Sequence, residues 1–159
     1  MKQYSHYIQY SIDQSSFYLQ TILQDLKGDD DKVLQFLKLS KLAYAEKVQE
    51  NYEEALLLEE SAYKLCLQFQ VDLGKKSSRK LRAAKLYNLG QLHYYLGLFE
   101  KSELLLWEAS HLDWLTGNLV GQAASLRVLA FIKQDKRIYS DALNIHKQAL
   151  KFNSEAGFS

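Results

Sequence analysis

Proline is absent from the 159-residue chain, and glycine occurs only seven times. Proline breaks a helix from within and glycine weakens it, so their scarcity leaves long stretches in which helices can run uninterrupted. The single cysteine, Cys66, excludes a disulfide framework within these residues and favours a reducing compartment. Because Cys66 lies on an apolar helical face in YKLCLQF, we expect it to be a small buried hydrophobic residue.

Net charge and apolar runs exclude further classes of protein. A formal net charge of +1 at pH 7 gives no overall attraction to nucleic acid or to a membrane surface. No apolar run approaches the roughly 18 residues of a membrane span, and the polar start MKQYSHYIQYS does not fit a secretory signal. The sequence therefore predicts a soluble, cytoplasmic protein, and its length predicts one continuous domain over residues 1–159.

The stretch from Ala83 to Ala109 carries the strongest pattern in the chain. Steps of one and three residues predict a buried stripe on a first helix, formed by Leu86, Leu89, Gly90, His93 and Leu96. Gly97 tolerates a positive φ and predicts a turn. A second helix is expected from Phe99, with its inward stripe formed by Ser102, Leu105, Leu106 and Ala109. Because Gly90 and Ser102 carry almost no side chain, the two helices should approach closely there.

The same offsets occur twice more along the chain. Counted from Phe36, the pattern gives Leu39, Leu42-Ala43, Tyr52, Ala55 and Ala62. Counted from Ala123, it gives Leu126, Leu129-Ala130, Tyr139, Ala142 and Ala149. The three starting points lie 47 and 40 residues apart. Recurrence at these distances indicates a stack of helical hairpins.

These residues resemble the tetratricopeptide repeat (TPR), which has Leu-Gly at repeat positions 7 and 8 and alanine at 20 and 27. His93 replaces an aromatic residue of that pattern and Ser102 replaces an alanine. Spacings above the common ~34 residues resemble the long-repeat subclass of kinesin light chains, spindle-orientation adaptors and bacterial peptide-pheromone receptors. The resemblance covers roughly residues 32–156 and implies an all-α, right-handed superhelix of helical hairpins, an α-solenoid. It places repeats at 32–72, 79–117 and 119–156, behind a degenerate leading hairpin at 1–28.

Two charged clusters have structural explanations. Asp29-Asp30-Asp31 lacks the alternating ligands and the glycine of a calcium loop, and acids placed before a helix favour its N-terminus. The basic residues after Gly74 match neither the spacing of a phosphate-binding loop nor the aromatic interleaving of a nucleic-acid patch. We expect the basic cluster to lie in a solvated loop or to face the acidic first repeat; it comprises Lys75, Lys76, Arg79, Lys80, Arg82 and Lys85.

No arrangement of titratable residues predicts an active site. The four histidines, His6, His93, His111 and His146, do not pair with another histidine or with cysteine at metal-ligand spacing. In the repeat pattern His93 and His146 occupy positions that pack between helices, so we expect them to be core histidines. The sequence thus predicts a protein that is not an enzyme and that needs neither a cofactor nor a metal.

The resemblance also implies a binding surface, because in tetratricopeptide stacks the first helices of the hairpins line a concave groove. The groove positions in this sequence are Ser40, Lys41, Tyr44, Lys47, Tyr87, Asn88, Gln91, Tyr94, Tyr95, Arg127, Phe131 and Gln134. Of the carboxylate clamp found in chaperone-binding members only Asn88 remains, which argues against the binding of chaperone tails. Asn88 also matches the long-repeat asparagine that hydrogen-bonds the backbone of an extended peptide.

Two functions remain open on this basis. The first is a non-catalytic adaptor that binds a peptide or helical segment of a partner protein in the groove. The alternative is a structural or assembly subunit, docked in a homodimer or larger complex through its terminal flank, because no polar capping helix follows the third repeat. The eleven tyrosines suit a peptide groove and wide seams between helices equally well.

Overall fold

The computed structural model describes residues 30–69 and 75–157, which are helical and contain no strand. The six helices are α1 (Asp30–Val48), α2 (Tyr52–Gln68), α3 (Lys75–Tyr95), α4 (Phe99–Thr116), α5 (Leu119–Asp135) and α6 (Tyr139–Glu155). The all-α prediction is confirmed, and helices begin at Phe99, Leu119 and Tyr139 as expected. The predicted hairpin at 1–28, Asp29 and residues 70–74 lie outside the described residues. None of the described helices combines the length and apolar character that crossing a bilayer requires.

The chain divides into two compact units, residues 1–81 and 82–159. In the first unit α1 packs against α2 around a core of Phe36, Ala62, Cys66, Phe69 and Leu81. The rings of Phe36 and Phe69 meet edge to face with centroids 5.8 Å apart, a favoured aromatic geometry. Cys66 is buried among these side chains, as the sequence predicted.

In the second unit α4 packs against α5, and α5 against α6. Aliphatic side chains dominate its core, which contains Leu106, Leu126, Val128, Leu129, Ile132 and Ala149. Most of them come from α5. The first unit relies instead on two phenylalanines and a cysteine for its bulk.

Small side chains are buried at matching positions in three successive helix pairs: the first pair (α1 and α2), the central pair (α3 and α4) and the last pair (α5 and α6). On the first helix of each pair the buried residue is Ala43, Gly90 or Ala130. On the second helices the buried residues are Ala55 and Ala62, Ser102 and Ala109, and Ala142 and Ala149. A small side chain lets two helix backbones approach, and the buried small residues recur at the same offsets in each pair.

The two helices of the central pair approach closely. The Ser102 hydroxyl on α4 donates a hydrogen bond to the Gly90 carbonyl oxygen on α3 at 2.6 Å. A Cβ atom added to Gly90 would lie only 2.7 Å from Cγ of Leu106. The close contact expected from Gly90 and Ser102 is therefore confirmed, and it leaves no room for a methyl group at residue 90.

One turn geometry recurs at four helix ends. A residue with a left-handed φ follows the helix in each case: Glu50 (64°), Gly97 (76°), Gly117 (70°) and Arg137 (62°). The next residue then donates its N–H to the carbonyl five residues earlier: Asn51 to Glu46, Leu98 to His93, Asn118 to Asp113 and Ile138 to Lys133. This is the Schellman motif, which satisfies carbonyls left free at a helix end. Sequence reasoning found Gly97 and missed Glu50 and Arg137, because charged residues rarely adopt this conformation.

The expectation that the start of the basic cluster lies in a loop was wrong. Helix α3 begins at Lys75 rather than at residue 79, so KKSSR is helical and not part of a loop. This segment contains no glycine or proline, and lysine and arginine are good helix formers. The basic cluster is correspondingly dispersed along α3: Arg82 forms an ion pair with Glu108 on α4, and Lys85 is buried.

Candidate functional site

Aromatic side chains of α3 and α5 converge in the second unit. The rings of Tyr94 and Phe131 stack with centroids 6.5 Å apart and an angle of 24° between their planes. Tyr94 also contacts Tyr95 at 5.7 Å and Phe99 at 5.8 Å between ring centroids. Tyr94 is thus the centre of a continuous set of rings, and Tyr87, Tyr94, Tyr95 and Phe131 are called the aromatic surface below.

A polar contact holds Tyr94 in place within the aromatic surface. Its hydroxyl donates a hydrogen bond of 3.0 Å to the Asp135 carboxylate at the end of α5. Burial raises the pKa of Tyr94, and the hydrogen bond and negative charge of Asp135 raise it further, because a phenolate would face a carboxylate. Tyr94 therefore remains a neutral donor near pH 7, with its ring fixed between α3 and α5.

Tyr87 connects the aromatic surface to the core of the unit. It packs against the aliphatic core cluster, and its hydroxyl accepts a hydrogen bond from Nε2 of Gln91 at 3.4 Å. Burial is the largest cause of its raised pKa; the neighbouring Tyr95 adds to the increase and the positive charge of Arg127 opposes it. Tyr87, Tyr95 and Arg127 consequently lie close enough to share one electrostatic environment.

The remaining groove positions of the second unit surround these rings. Tyr95 and Phe131 are exposed, as are Arg127 and Gln134, whereas Asn88 is half-buried. The surface therefore has accessible rings at its centre and hydrogen-bonding or cationic groups at its edges. This composition resembles the aromatic and arginine-rich centre of protein interfaces more than an average protein surface.

The groove positions on α1 belong to the first unit. Ser40 is buried and offers little surface, whereas Lys41 is exposed. The Lys47 ammonium nitrogen lies 4.8 Å from the centroid of the Tyr44 ring, in a cation–π contact within α1. The accessible groups here are thus Lys41 and the Tyr44–Lys47 pair, and the Ser40 hydroxyl is not one of them.

Sequence reasoning missed three neighbours of the aromatic surface: Phe99, Asp135 and His146. The His146 ring meets Phe131 edge to face at 5.4 Å between centroids, and it is half-buried rather than a core histidine. His93 is a core histidine, as predicted: it is buried and its Nδ1–H donates to the Leu89 carbonyl at 2.7 Å. The periodicity of one helix carries no signal for a contact such as Tyr94 to Asp135, which joins residues 41 positions apart.

The groups that this surface exposes are aromatic rings, a guanidinium group and a carboxamide. Across residues 30–69 and 75–157, no three side chains of His, Cys, Asp and Glu come together in a way that could hold a metal ion. Aromatic area, a guanidinium group and carboxamides are the groups through which proteins bind peptide segments.

No protein-family model matches the sequence, and neither a curated protein nor a solved structure shows significant similarity to it.

Proposed function

We propose that this chain is a non-catalytic, tetratricopeptide-like adaptor whose aromatic surface binds a peptide or helical segment of a partner protein. The observation that carries this proposal is the arrangement around Tyr94: rings that reach the surface are held in place by stacking and by the hydrogen bond to Asp135. Side chains that are already ordered lose little conformational entropy when a partner binds, so their buried area contributes more fully to affinity.

The repeat register supports the tetratricopeptide-like part of the proposal. Three helix pairs bury small residues at the same offsets, and each pair turns through a left-handed residue at Glu50, Gly97 or Arg137. These three residues lie 47 and 40 positions apart, which are the intervals of the sequence pattern. A right-handed superhelix of such pairs would present α3 and α5 as neighbouring first helices, each contributing to one groove.

The groups on the surface define the kind of segment it would bind. Tyr94 and Phe131 would contact an apolar or aromatic side chain, and Arg127 would favour an acidic residue nearby. Asn88 would contact the peptide backbone, in keeping with the long-repeat asparagine. The rings would provide most of the affinity, while Arg127 would affect association rate and salt dependence.

A peptide-display selection against the purified chain tests this proposal. We expect enriched peptides to combine an aromatic or large apolar residue with an acidic one. For a synthetic peptide from that set, Phe131→Ala and Asn88→Ala should each weaken binding by about 1–3 kcal/mol. Tyr139→Ala is a matched control, because Tyr139 is an exposed aromatic residue of α6 outside the aromatic surface. Equal affinity of the Phe131→Ala variant and the wild type, with both folded by circular dichroism, would refute the proposal.

A second candidate function, docking as a subunit of a larger complex, rests on α6. Leu143 and Leu150 are exposed on this helix and, seven residues apart, lie on one face of it. In this case Leu143→Asp or Leu150→Asp should abolish assembly, and Phe131→Ala should leave it unchanged. Measuring both sets of variants against one partner distinguishes the two functions.

A further inference from the structure

Both tryptophans of the chain lie on the outer face of α4. The exposed fractions are 74% for Leu104, 48% for Trp107 and 64% for Trp114, and the His111 ring stacks on Trp114 at 5.8 Å. These four residues follow one another at steps of three, four and three positions, which aligns them on one side of the helix. They are called the tryptophan stripe, and the exposed Leu115 flanks it.

The acidic side chains of α4 are engaged within the chain, although Glu100, four residues before Leu104 on the same face, stays 86% exposed beside Lys136. Lys133 on α5 and Lys136 directly after α5 bind the carboxylates near the start of α4, and Arg82 binds the one near its middle. The last acidic group, Asp113, is buried and accepts a hydrogen bond from Asn118 at 3.0 Å. The four acidic residues concerned are Glu100, Glu103, Glu108 and Asp113. The stripe is therefore depleted in free carboxylates, as the centre of a protein interface is.

The exposed apolar area of this face fits a pair of chains. Tryptophan side chains offer up to about 250 Å² each, so the exposed fractions of the two indoles amount to on the order of 280 Å². With Leu104 and Leu115 the total reaches on the order of 400 Å², a size at which surface patches mark interaction sites. Because interfaces are about 60% apolar, this area corresponds to roughly 700 Å² per partner, close to that of a stable complex.

We propose that the tryptophan stripe binds the same stripe of a second copy of this chain, with the two α4 helices antiparallel. In a two-fold interface, residue i contacts residue j of the other copy and j contacts i. The spacing of three, four and three reads the same in both directions, so a two-fold axis at the level of Ala109 brings the two stripes into register. Leu104 then meets Trp114 of the other copy, and Trp107 meets His111.

This pairing places each indole against a smaller side chain. A parallel pairing would instead set Trp107 against Trp107 and Trp114 against Trp114. Alternating steps of three and four residues are also those of a coiled-coil seam, in which side chains of one helix fill gaps on the other. The stripe thus combines the area, the spacing and the charge depletion that an antiparallel helix pair requires.

Sedimentation of the full chain at concentrations up to about 100 μM tests whether it self-associates. We expect a dimer for the wild type, and at least a tenfold weaker dimer for Trp107→Lys and Trp114→Lys. Leu57→Lys is the matched control, because Leu57 is an exposed leucine on α2, and it should dimerise as the wild type does. A wild-type monomer, or tryptophan variants that dimerise normally while circular dichroism shows them folded, would overturn the proposal. So would loss of the dimer in Leu143→Asp with the tryptophan variants unaffected, because the interface would then lie on α6.

Cysteine cross-linking tests the antiparallel orientation. The two copies of residue 104 would lie roughly 15 Å apart along the helices, beyond the reach of a disulfide. Leu104→Cys and Trp114→Cys should therefore not form cross-linked dimers separately, but should cross-link when the two variants are mixed and oxidised. Cys66 is buried, and the wild type, which carries it alone, serves as the reference for background cross-linking. Cross-linking of each variant with itself would show a parallel arrangement and overturn the proposal, as would the absence of cross-links in the mixture.

Discussion

The central and last helix pairs differ at the same structural position. In the central pair the residue is Gly90, and the Leu106 side chain occupies the space where a Cβ atom would lie. In the last pair it is Ala130, and the second helix carries His146 at the position equivalent to Leu106. The His146 ring contacts Phe131 instead, and Ala130 is completely buried. Leu106 therefore leaves no room for a Cβ atom at residue 90, whereas the last pair buries the Ala130 methyl group while His146 packs on Phe131.

Replacing Gly90 should produce the largest loss of stability. Comparing it with a change at Ala130 tests whether the two pairs differ in packing at this position. Gly90→Leu would force a large side chain into the space of Leu106, and we expect it to lower the free energy of unfolding by about 3 kcal/mol or more. Ala130→Gly, the reciprocal change in the last pair, should cost only about 1 kcal/mol through helix propensity. Urea unfolding followed by circular dichroism measures both. A Gly90→Leu protein with unchanged stability would show that the contact between α3 and α4 is absent in solution.

A buried carboxyl group between the central and last pairs should make the stability of the protein depend on pH. Asp113 at the end of α4 is buried, and this burial raises the pKa of its carboxyl group from 3.8 to about 6, although the hydrogen bond from Asn118 opposes the increase. The folded state then binds the proton more tightly than the unfolded state. Proton binding by Asp113 therefore makes its full contribution to the free energy of unfolding below pH 4, and this contribution decreases as the pH rises from 4 to 6.

Asp113→Asn should remove the decrease in stability between pH 4 and 6, because an asparagine side chain carries no titrating proton. It keeps an oxygen that accepts the hydrogen bond from the Asn118 amide. We expect the variant to be more stable than the wild type above pH 6, by on the order of 1–2 kcal/mol after allowance for solvent screening. The difference should disappear below pH 4. Thermal unfolding of both proteins between pH 3.5 and 7.5 measures it, and a difference independent of pH would contradict the shift.

Substitutions at the left-handed residues of the two turns should change the stability of the protein in opposite directions. Gly97 turns the central pair and Arg137 turns the last pair, each with a left-handed φ. A residue other than glycine pays about 1 kcal/mol or more for this conformation, so Arg137→Gly should stabilise the protein and Gly97→Ala should destabilise it by similar amounts. For a chain of this length each change corresponds to about 2–4 °C in melting temperature. Shifts of the same sign would argue against the Schellman geometry at one of the two turns.

The smallest effects are expected from two buried serines, one in each pair. The Ser102 hydroxyl bonds the Gly90 carbonyl, whereas the Ser125 hydroxyl has no hydrogen-bond partner among the described residues. Ser102→Ala should therefore cost roughly 1 kcal/mol, and Ser125→Ala should be neutral or stabilising by up to about 1 kcal/mol. Denaturant midpoints of the two variants compare them directly. Equal losses would mean that Ser125 does have a partner.

Local pattern and turn chemistry predicted most of the helix limits. Stripes of apolar and small residues gave the starts at Phe99, Leu119 and Tyr139, the first two of them just after a glycine, because periodicity and turn residues are local properties. The start of α3 at Lys75 was not predicted, since basic residues and serines suggested a loop although they are compatible with a helix. Left-handed Glu50 and Arg137 were also missed, because the return of the chain toward the next helix decides their conformation rather than their own preference.

The candidate site was predictable only in part. The repeat register gave the helix faces that carry Tyr94 and Phe131, and these rings do lie together. The register gave no indication of Asp135 at the end of α5, and it predicted a core position for His146 on α6 rather than a contact with Phe131. Such contacts depend on how neighbouring helices are placed in three dimensions, and a helical period contains no information on that placement.

The location of both tryptophans on one exposed face of α4 has a spectroscopic consequence. Their indoles are partly in contact with water in the folded chain, and the described core clusters contain neither of them. In the monomer, intrinsic tryptophan emission should therefore change little when the core unfolds, and it should respond mainly to whatever covers α4, including a second copy of the chain. Fluorescence would then follow unfolding of the monomer with a small amplitude, because the position of a probe sets the size of its signal. In a two-state transition its midpoint still coincides with that from circular dichroism, so a difference between the two midpoints would report an additional step such as dissociation of a dimer.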